Sequence, residues 1–157
     1  MSDDASRPLP PCGLYRTTTR LAEVPSGRLV YFHNHGDPGA GIYLPSSWRQ
    51  NRARFEDRGI LIPGDWWAAT LDPLPAEGFY RVTRAFHCCE KQCATFEVDQ
   101  LLQVGYTAEA TPLVFVLRVV DGVLEVPEEG TIIDRARLGC MAPLKTPVSQ
   151  TPDHSIH

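Results

Sequence analysis

The sequence predicts an all-β protein built from two tandem, duplicated halves. Its 157 residues include 12 glycines and 14 prolines, a composition that favours many short elements joined by turns over long helices. Apolar and polar residues alternate over several short segments, as they do in half-buried strands. Two ten-residue segments, LPPCGLYRTT (Leu9–Thr18) and LPAEGFYRVT (Leu74–Thr83), share Leu, Pro, Gly, Tyr, Arg and Thr at the same places.

Later landmarks recur in the same order and support a duplication. Residues 24–45 and 98–117 each hold two apolar runs separated by a turn, and residues 55–74 and 126–144 each end in a strand-like triplet, a short helical stretch and Pro-Leu. A fixed spacing of such landmarks is typical of repeated structural units. We therefore expect unit one over residues 9–72 and unit two over 73–145. The Pro-rich segments 1–8 and 146–157 lack the apolar residues for a core and are expected to be flexible tails.

The expected elements of unit one follow from its pattern. GLYRTT alternates with the period of a strand. RLVYFHN (Arg28–Asn34) and GIYLP (Gly41–Pro45) are predicted strands joined by the tight connection HGDPGA. GILIP precedes a predicted helical turn over Asp65–Thr70, with Asp65 as its N-cap.

Unit two repeats this series. GFYRVT, LLQVGY and PLVFVLRVV are predicted strands, the last two joined by TAEAT. VVDGVLEV is a predicted hairpin, because Asp121-Gly122 suits a type I′ turn. GTIID then precedes a predicted helical turn over Asp134–Met141 that begins at Asp134.

About five short strands and one terminal helical turn in each unit resemble an SH3-like barrel in the number and order of elements. This resemblance implies two small barrels packed against each other. The alternative is one β-sandwich or barrel built from both halves.

Unit one concentrates aromatic residues and arginines. An exposed Trp beside Arg is typical of interface hot spots, and adjacent Trp66 and Trp67 cannot both be buried in one small core. We therefore predict a non-enzymatic protein-binding or assembly module that binds a protein partner or a second copy of the chain. The candidate binding residues are Tyr31, Tyr43, Trp48, Arg49, Arg52, Arg54, Trp66 and Trp67. The alternatives are a solvated charged face over residues 48–58 and Trp side chains buried at the seam between the halves.

Clustered cysteines and histidines offer a second kind of site. His87, Cys88, Cys89 and Cys93 could supply part of a zinc site, with Cys12 or Cys140 completing it, although adjacent cysteines on a strand would point to opposite faces. His33, His35 and Asp37 form a smaller group at a strand end. The alternative function is thus a small metal- or thiol-dependent enzyme. No catalytic residue, metal ligand or cofactor is assigned from the sequence.

The overall charge argues against other classes of function. The formal net charge is −4 and the isoelectric point is about 5.7, so the basic footprint of a nucleic-acid-binding protein is missing. Weak nucleic-acid binding is the second alternative function. Without a signal peptide or a long apolar run, a cytoplasmic protein with no membrane partner and with five free thiols is expected.

Overall fold

A computed structural model describes residues 8–145 and 147 of the chain. Of these residues 42% lie in strands and 7% in helices, which confirms the prediction of a mostly β protein. The predicted tails, residues 8 and 147 apart, lie outside the described residues. Within the described residues, no helix is long and apolar enough to cross a bilayer.

The elements of the first half are β1 (Gly13–Arg16), β2 (Leu29–His33), β3 (Gly41–Tyr43), β4 (Pro45–Arg49), β5 (Arg52–Phe55), β6 (Ile60–Leu61), helix α1 (Asp65–Ala68) and β7 (Asp72–Pro73). Five of the strands form an antiparallel sheet with the order β6-β3-β2-β1-β7. Strands β4 and β5 form a separate hairpin, which lies between β3 and β6 in the chain.

The elements of the second half are β8 (Gly78–Val82), β9 (Phe86–His87), β10 (Thr95–Phe96), β11 (Leu101–Tyr106), β12 (Pro112–Val116), β13 (Arg118–Val120), β14 (Val123–Glu125), β15 (Thr131–Ile132), a 3-10 helix (Arg135–Cys140) and β16 (Met141–Pro143). Five of the strands form another antiparallel sheet, with the order β15-β12-β11-β8-β16. The other four strands form two hairpins, β9–β10 and β13–β14.

Both sheets place their strands in the same order relative to the chain. The second strand lies at the centre, and the last strand pairs with the first. The Tyr15 hydroxyl donates to the Pro11 carbonyl, and the Tyr80 hydroxyl donates to the Ala76 carbonyl, each at 2.6 Å. In each sheet the two outer strands do not pair with each other, so neither sheet closes into the small barrel that the sequence predicted.

The hairpin predicted at Asp121-Gly122 is confirmed, with φ of 51° and 80° at the two turn residues. Hairpins β4–β5 and β9–β10 were not predicted, and PLVFVLRVV divides at Leu117 into β12 and β13. The prediction that Asp65 caps α1 is wrong, because Gly64 holds the N-cap position. Asp134 does occupy the N-cap position of the 3-10 helix, but its side chain makes no capping hydrogen bond.

Two buried clusters form the core, and the two halves share the boundary between them. The first cluster centres on Phe32, Ile42 and Trp67. The second centres on strands β8, β11 and β12, and it includes Leu29 from β2 of the first half. The Leu29 N–H also donates to the Ala108 carbonyl at 2.8 Å, so the first sheet is bonded to the second half.

Candidate functional site

Six of the eight predicted binding residues lie on or beside the β4–β5 hairpin. Trp48 and Arg49 are on β4, while Arg52 and Arg54 are on β5. Tyr31 and Tyr43 are paired across β2 and β3, and the Tyr31 ring centroid is 5.9 Å from that of Phe55 on β5.

The two remaining residues, Trp66 and Trp67, have opposite environments on α1. Trp67 is fully buried in the first core cluster, where its indole N–H donates to the Arg20 carbonyl at 3.2 Å. Trp66 is 61% exposed, as expected for one member of the pair. Burial removes Trp67 from any binding surface.

Hairpin β4–β5 is hydrogen-bonded to the second half of the chain. The Trp48 indole N–H donates to the Tyr106 carbonyl at 2.9 Å. The Asn51 amide donates to Gln103 Oε1 at 3.0 Å and to the Pro127 carbonyl at 3.1 Å. Segment 48–58 therefore contributes to the seam between the halves through Trp48 and Asn51, while its charged residues are exposed, as the alternative of a solvated face expects.

Gly105 and Glu77 of the second half lie directly against hairpin β4–β5. A Cβ atom at Gly105 would lie 2.7 Å from the Asn51 carbonyl oxygen, so the two backbones touch. The Ala53 N–H donates to the Glu77 carboxylate at 3.2 Å. Burial raises the pKa of Glu77, and the Ala53 N–H and the charge of Arg52 partly offset this rise.

An open groove of about 830 Å³ lies between β4–β5 and the second sheet. Its walls combine aromatic and aliphatic side chains with two opposite charges, a composition typical of binding sites. The sequence indicated only two of its principal residues, because the others are distant in the chain and lie on strands or in a loop without a distinctive pattern. The groove is lined by Trp48, Arg52, Phe79, Leu113, Phe115 and Glu128, among others.

Hairpin β13–β14, beside this groove, has an apolar and exposed surface. Val119, Val120, Val123 and Leu124 are between 38% and 69% exposed. Arg118 and Glu125 form an ion pair of 3.0 Å at the base of the hairpin. The next residues along the chain, Val126 and Pro127, line the groove, so the hairpin begins at the edge of the groove. Contiguous exposed apolar surface marks interaction sites.

Three of the four predicted soft ligands come together in the loop between β9 and β10. The Sγ atoms of Cys88, Cys89 and Cys93 all lie within 4.8 Å of one another, and those of Cys88 and Cys89 are 3.6 Å apart. The chain turns directly after β9, so the adjacent cysteines do not diverge as they would on a strand. His87 is outside this group, and its Nδ1 lies 3.1 Å from Thr95 Oγ1.

The thiols in this loop differ in acidity. The backbone N–H of Lys91, with the Cys88 thiol, lowers the pKa of Cys89. The nearby charge of Cys89 raises the pKa of Cys93. All five cysteines are free, and neither Cys12 nor Cys140 belongs to the cluster.

A second group joins Cys12 with His33 and His35. Their ligand atoms also lie within 4.8 Å of one another, with 4.0 Å between Cys12 Sγ and His35 Nδ1. Cys12 Sγ also hydrogen-bonds the Asn34 side-chain oxygen at 3.2 Å, and that oxygen lies 2.7 Å from His35 Nδ1. Asp37, which the sequence placed with these histidines, is not part of the group. Hydrogen bonds within the chain thus occupy the Cys12 thiol and the Nδ1 atoms of both histidines, since His33 Nδ1 bonds the His35 carbonyl.

Comparisons with protein-family models, with curated proteins and with solved structures find no match for this chain.

The buried carboxyl group of Glu77 leads to a pH-dependent prediction. Its pKa is raised in the folded state, so the folded chain binds the proton more tightly than the unfolded chain does. The negative charge that Glu77 carries at neutral pH therefore lowers the stability of the fold. Glu77→Gln should therefore be more stable relative to wild type at pH 7 than at pH 4. Urea denaturation at the two pH values measures this difference, and an equal difference at both would contradict the prediction.

Proposed function

We propose that the chain is a non-enzymatic assembly module of two SH3-like units, and that its protein partner is a second copy of the same chain. The single observation that carries this proposal is the exposed apolar β13–β14 hairpin beside an open aromatic groove. We place this module in the cytoplasm, where five free thiols stay reduced.

The arrangement of strands supports two related, SH3-like units. Each half has the same strand order, and a hairpin follows the third strand in both. Both hairpins turn through two residues with positive φ, namely Gln50 and Asn51 in the first half and Asp121 and Gly122 in the second. We infer that β4–β5 and β13–β14 are equivalent parts of one duplicated unit.

The two hairpins differ in what covers them. On the first, Trp48 pairs with Ala53 across the strands, and Trp48 is bonded to the second half. At the corresponding place on the second hairpin, Val119 pairs with Leu124, and both are exposed. No third unit follows within the described residues, so the second hairpin lacks the neighbour that the first one has.

A second copy of the chain can supply both a groove and a hairpin. The hairpin and the groove are adjacent in one molecule, so a two-fold axis between them would let each hairpin dock in the groove of the other copy. In such an isologous dimer the contact between hairpin and groove forms twice, so the area buried between the two copies is doubled. Apolar residues of the hairpin would meet Phe79 and Phe115, while Arg52 and Glu128 would form a polar rim.

The substitution Val123→Asp tests this proposal. Val123 is 65% exposed on β14, so a charge there leaves the core intact while it would be buried in the dimer without a partner. We expect sedimentation equilibrium to show a dimer for the wild type and a dissociation constant at least about tenfold higher for the variant.

Val98→Asp is the matched control, since Val98 is 50% exposed and lies outside both the hairpin and the groove. It should dimerise as the wild type does. A wild-type chain that stays monomeric at about 100 μM, and so has a dissociation constant above that concentration, would overturn self-association. Equal weakening by both variants would overturn the role of the hairpin.

A further inference from the structure

We propose that Cys88, Cys89 and Cys93 bind one thiophilic d¹⁰ cation, Zn²⁺ being the representative, through three thiolates. This inference is independent of the proposed assembly, because the thiol loop shares no residue with the hairpin or the groove.

The separations of the three sulfur atoms suit a common metal ion. A Zn–S bond of about 2.3 Å with tetrahedral angles places bound sulfurs about 3.8 Å apart. The sulfurs of Cys88 and Cys89 are already 3.6 Å apart, and all three lie within 4.8 Å. Small side-chain rotations therefore bring the three thiolates to bonding distance without a change in the backbone.

The loop that carries the thiols is fixed by its own hydrogen bonds. The Cys88 N–H donates to the Ala94 carbonyl at 3.0 Å, and the Gln92 N–H donates to the Cys89 carbonyl at 2.9 Å. The Cys88 carbonyl accepts from Asp134 N–H at 2.9 Å. Below the loop, the stacked rings of Phe86 and Phe96, 4.8 Å apart, hold β9 and β10 together. A ligand set held on a rigid base loses little entropy on binding a metal.

A backbone donor also supports the innermost sulfur. The Ala94 N–H lies 3.3 Å from Cys88 Sγ and donates to it. Hydrogen bonds to metal-bound ligands orient them and distribute their negative charge. The buried Cys88 thus has the environment of a ligand, with a polar donor directed at a sulfur that apolar packing alone would not require.

Three protein ligands leave one coordination position of a tetrahedral ion open. Cys88 is buried and Cys93 is exposed, so the site faces solvent on the Cys93 side, where water or an outside donor can complete the coordination. Binding exchanges three S–H protons for three metal–sulfur bonds and involves no oxidation. Each ion bound therefore releases three protons, and the three thiolates and Zn²⁺ together carry a charge of −1.

A titration of the full-length chain with Co²⁺ tests the site. The protein is kept reduced with a non-thiol reductant under argon, and sulfur-to-cobalt charge-transfer absorption reports thiolate coordination. We expect one equivalent of Co²⁺ to bind and Zn²⁺ to displace it. Cys93→Ser should weaken binding by at least about tenfold, and circular dichroism should be unchanged because Cys93 is exposed.

Cys12→Ser is the matched control, because it removes a thiol from the other cysteine and histidine group. It should keep full affinity and the full charge-transfer band. Less than about 0.1 equivalent bound to the wild type would overturn the proposal. So would loss of binding in Cys12→Ser together with normal binding in Cys93→Ser, which would place the ion at the other group.

Discussion

Trp67→Ala should lower the free energy of unfolding by about 3–5 kcal/mol. Trp67 is fully buried among the side chains of the first core cluster, so alanine leaves a large cavity. The substitution also leaves the Arg20 carbonyl without the indole N–H that it accepts. A domain of this size is typically stable by about 5–15 kcal/mol, so the variant should lose a large part of its stability.

Urea denaturation followed by circular dichroism measures the effect of Trp67→Ala. Trp66→Ala is the matched control on the same helix, and with 61% of Trp66 exposed it should change stability by less than about 0.5 kcal/mol. Similar losses in the two variants would mean that the assignment of one Trp to the core and one to solvent is wrong.

Gly105→Ala should destabilise the protein by about 1–3 kcal/mol through overpacking. The new Cβ would lie 2.7 Å from the carbonyl oxygen of Asn51, which is backbone and has no rotamer to change. Hairpin β4–β5 must therefore move away from β11. That movement strains the bonds from Asn51 to Gln103 and to Pro127.

Gly139→Ala is the control for this substitution, because a Cβ at Gly139 meets no atom within 4 Å. It should leave stability unchanged or raise it slightly by restricting the unfolded chain. Thermal unfolding measures both variants. A stability of Gly105→Ala within about 0.5 kcal/mol of wild type would contradict the close approach of the two backbones.

Two hairpins of similar geometry show what the sequence could predict of the fold. Asp121-Gly122 is a recognisable turn because glycine readily adopts positive φ, and it identified β13–β14. Gln50 and Asn51 form the same kind of turn, with φ of 53° and 67°, but Gln rarely adopts this conformation. Bonds to the second half, including the one from Gln103 to the Gln50 carbonyl at 3.1 Å, hold this turn, so local sequence could not reveal it.

The candidate site could be predicted only in part for a related reason. Trp48 and Arg52 were recognised by their residue types, but Phe79 and Phe115 join them only through the packing of separate strands. The cysteine cluster was visible as a motif, yet its convergence depends on a turn in which Gln92 has a φ of 57°. Long-range pairing and tertiary strain leave little trace in residue order.

The hydrogen bonds between hairpin β4–β5 and the second half also determine when the hairpin can pack during synthesis. A ribosome delivers residues 45–55 well before Gln103, Tyr106 and Pro127, which receive the hairpin. Until then the indole of Trp48 and the amide of Asn51 have only water to bond. During synthesis the first half therefore cannot complete its packing. Hairpin β4–β5 gains its last contacts only after the second half has emerged from the ribosome.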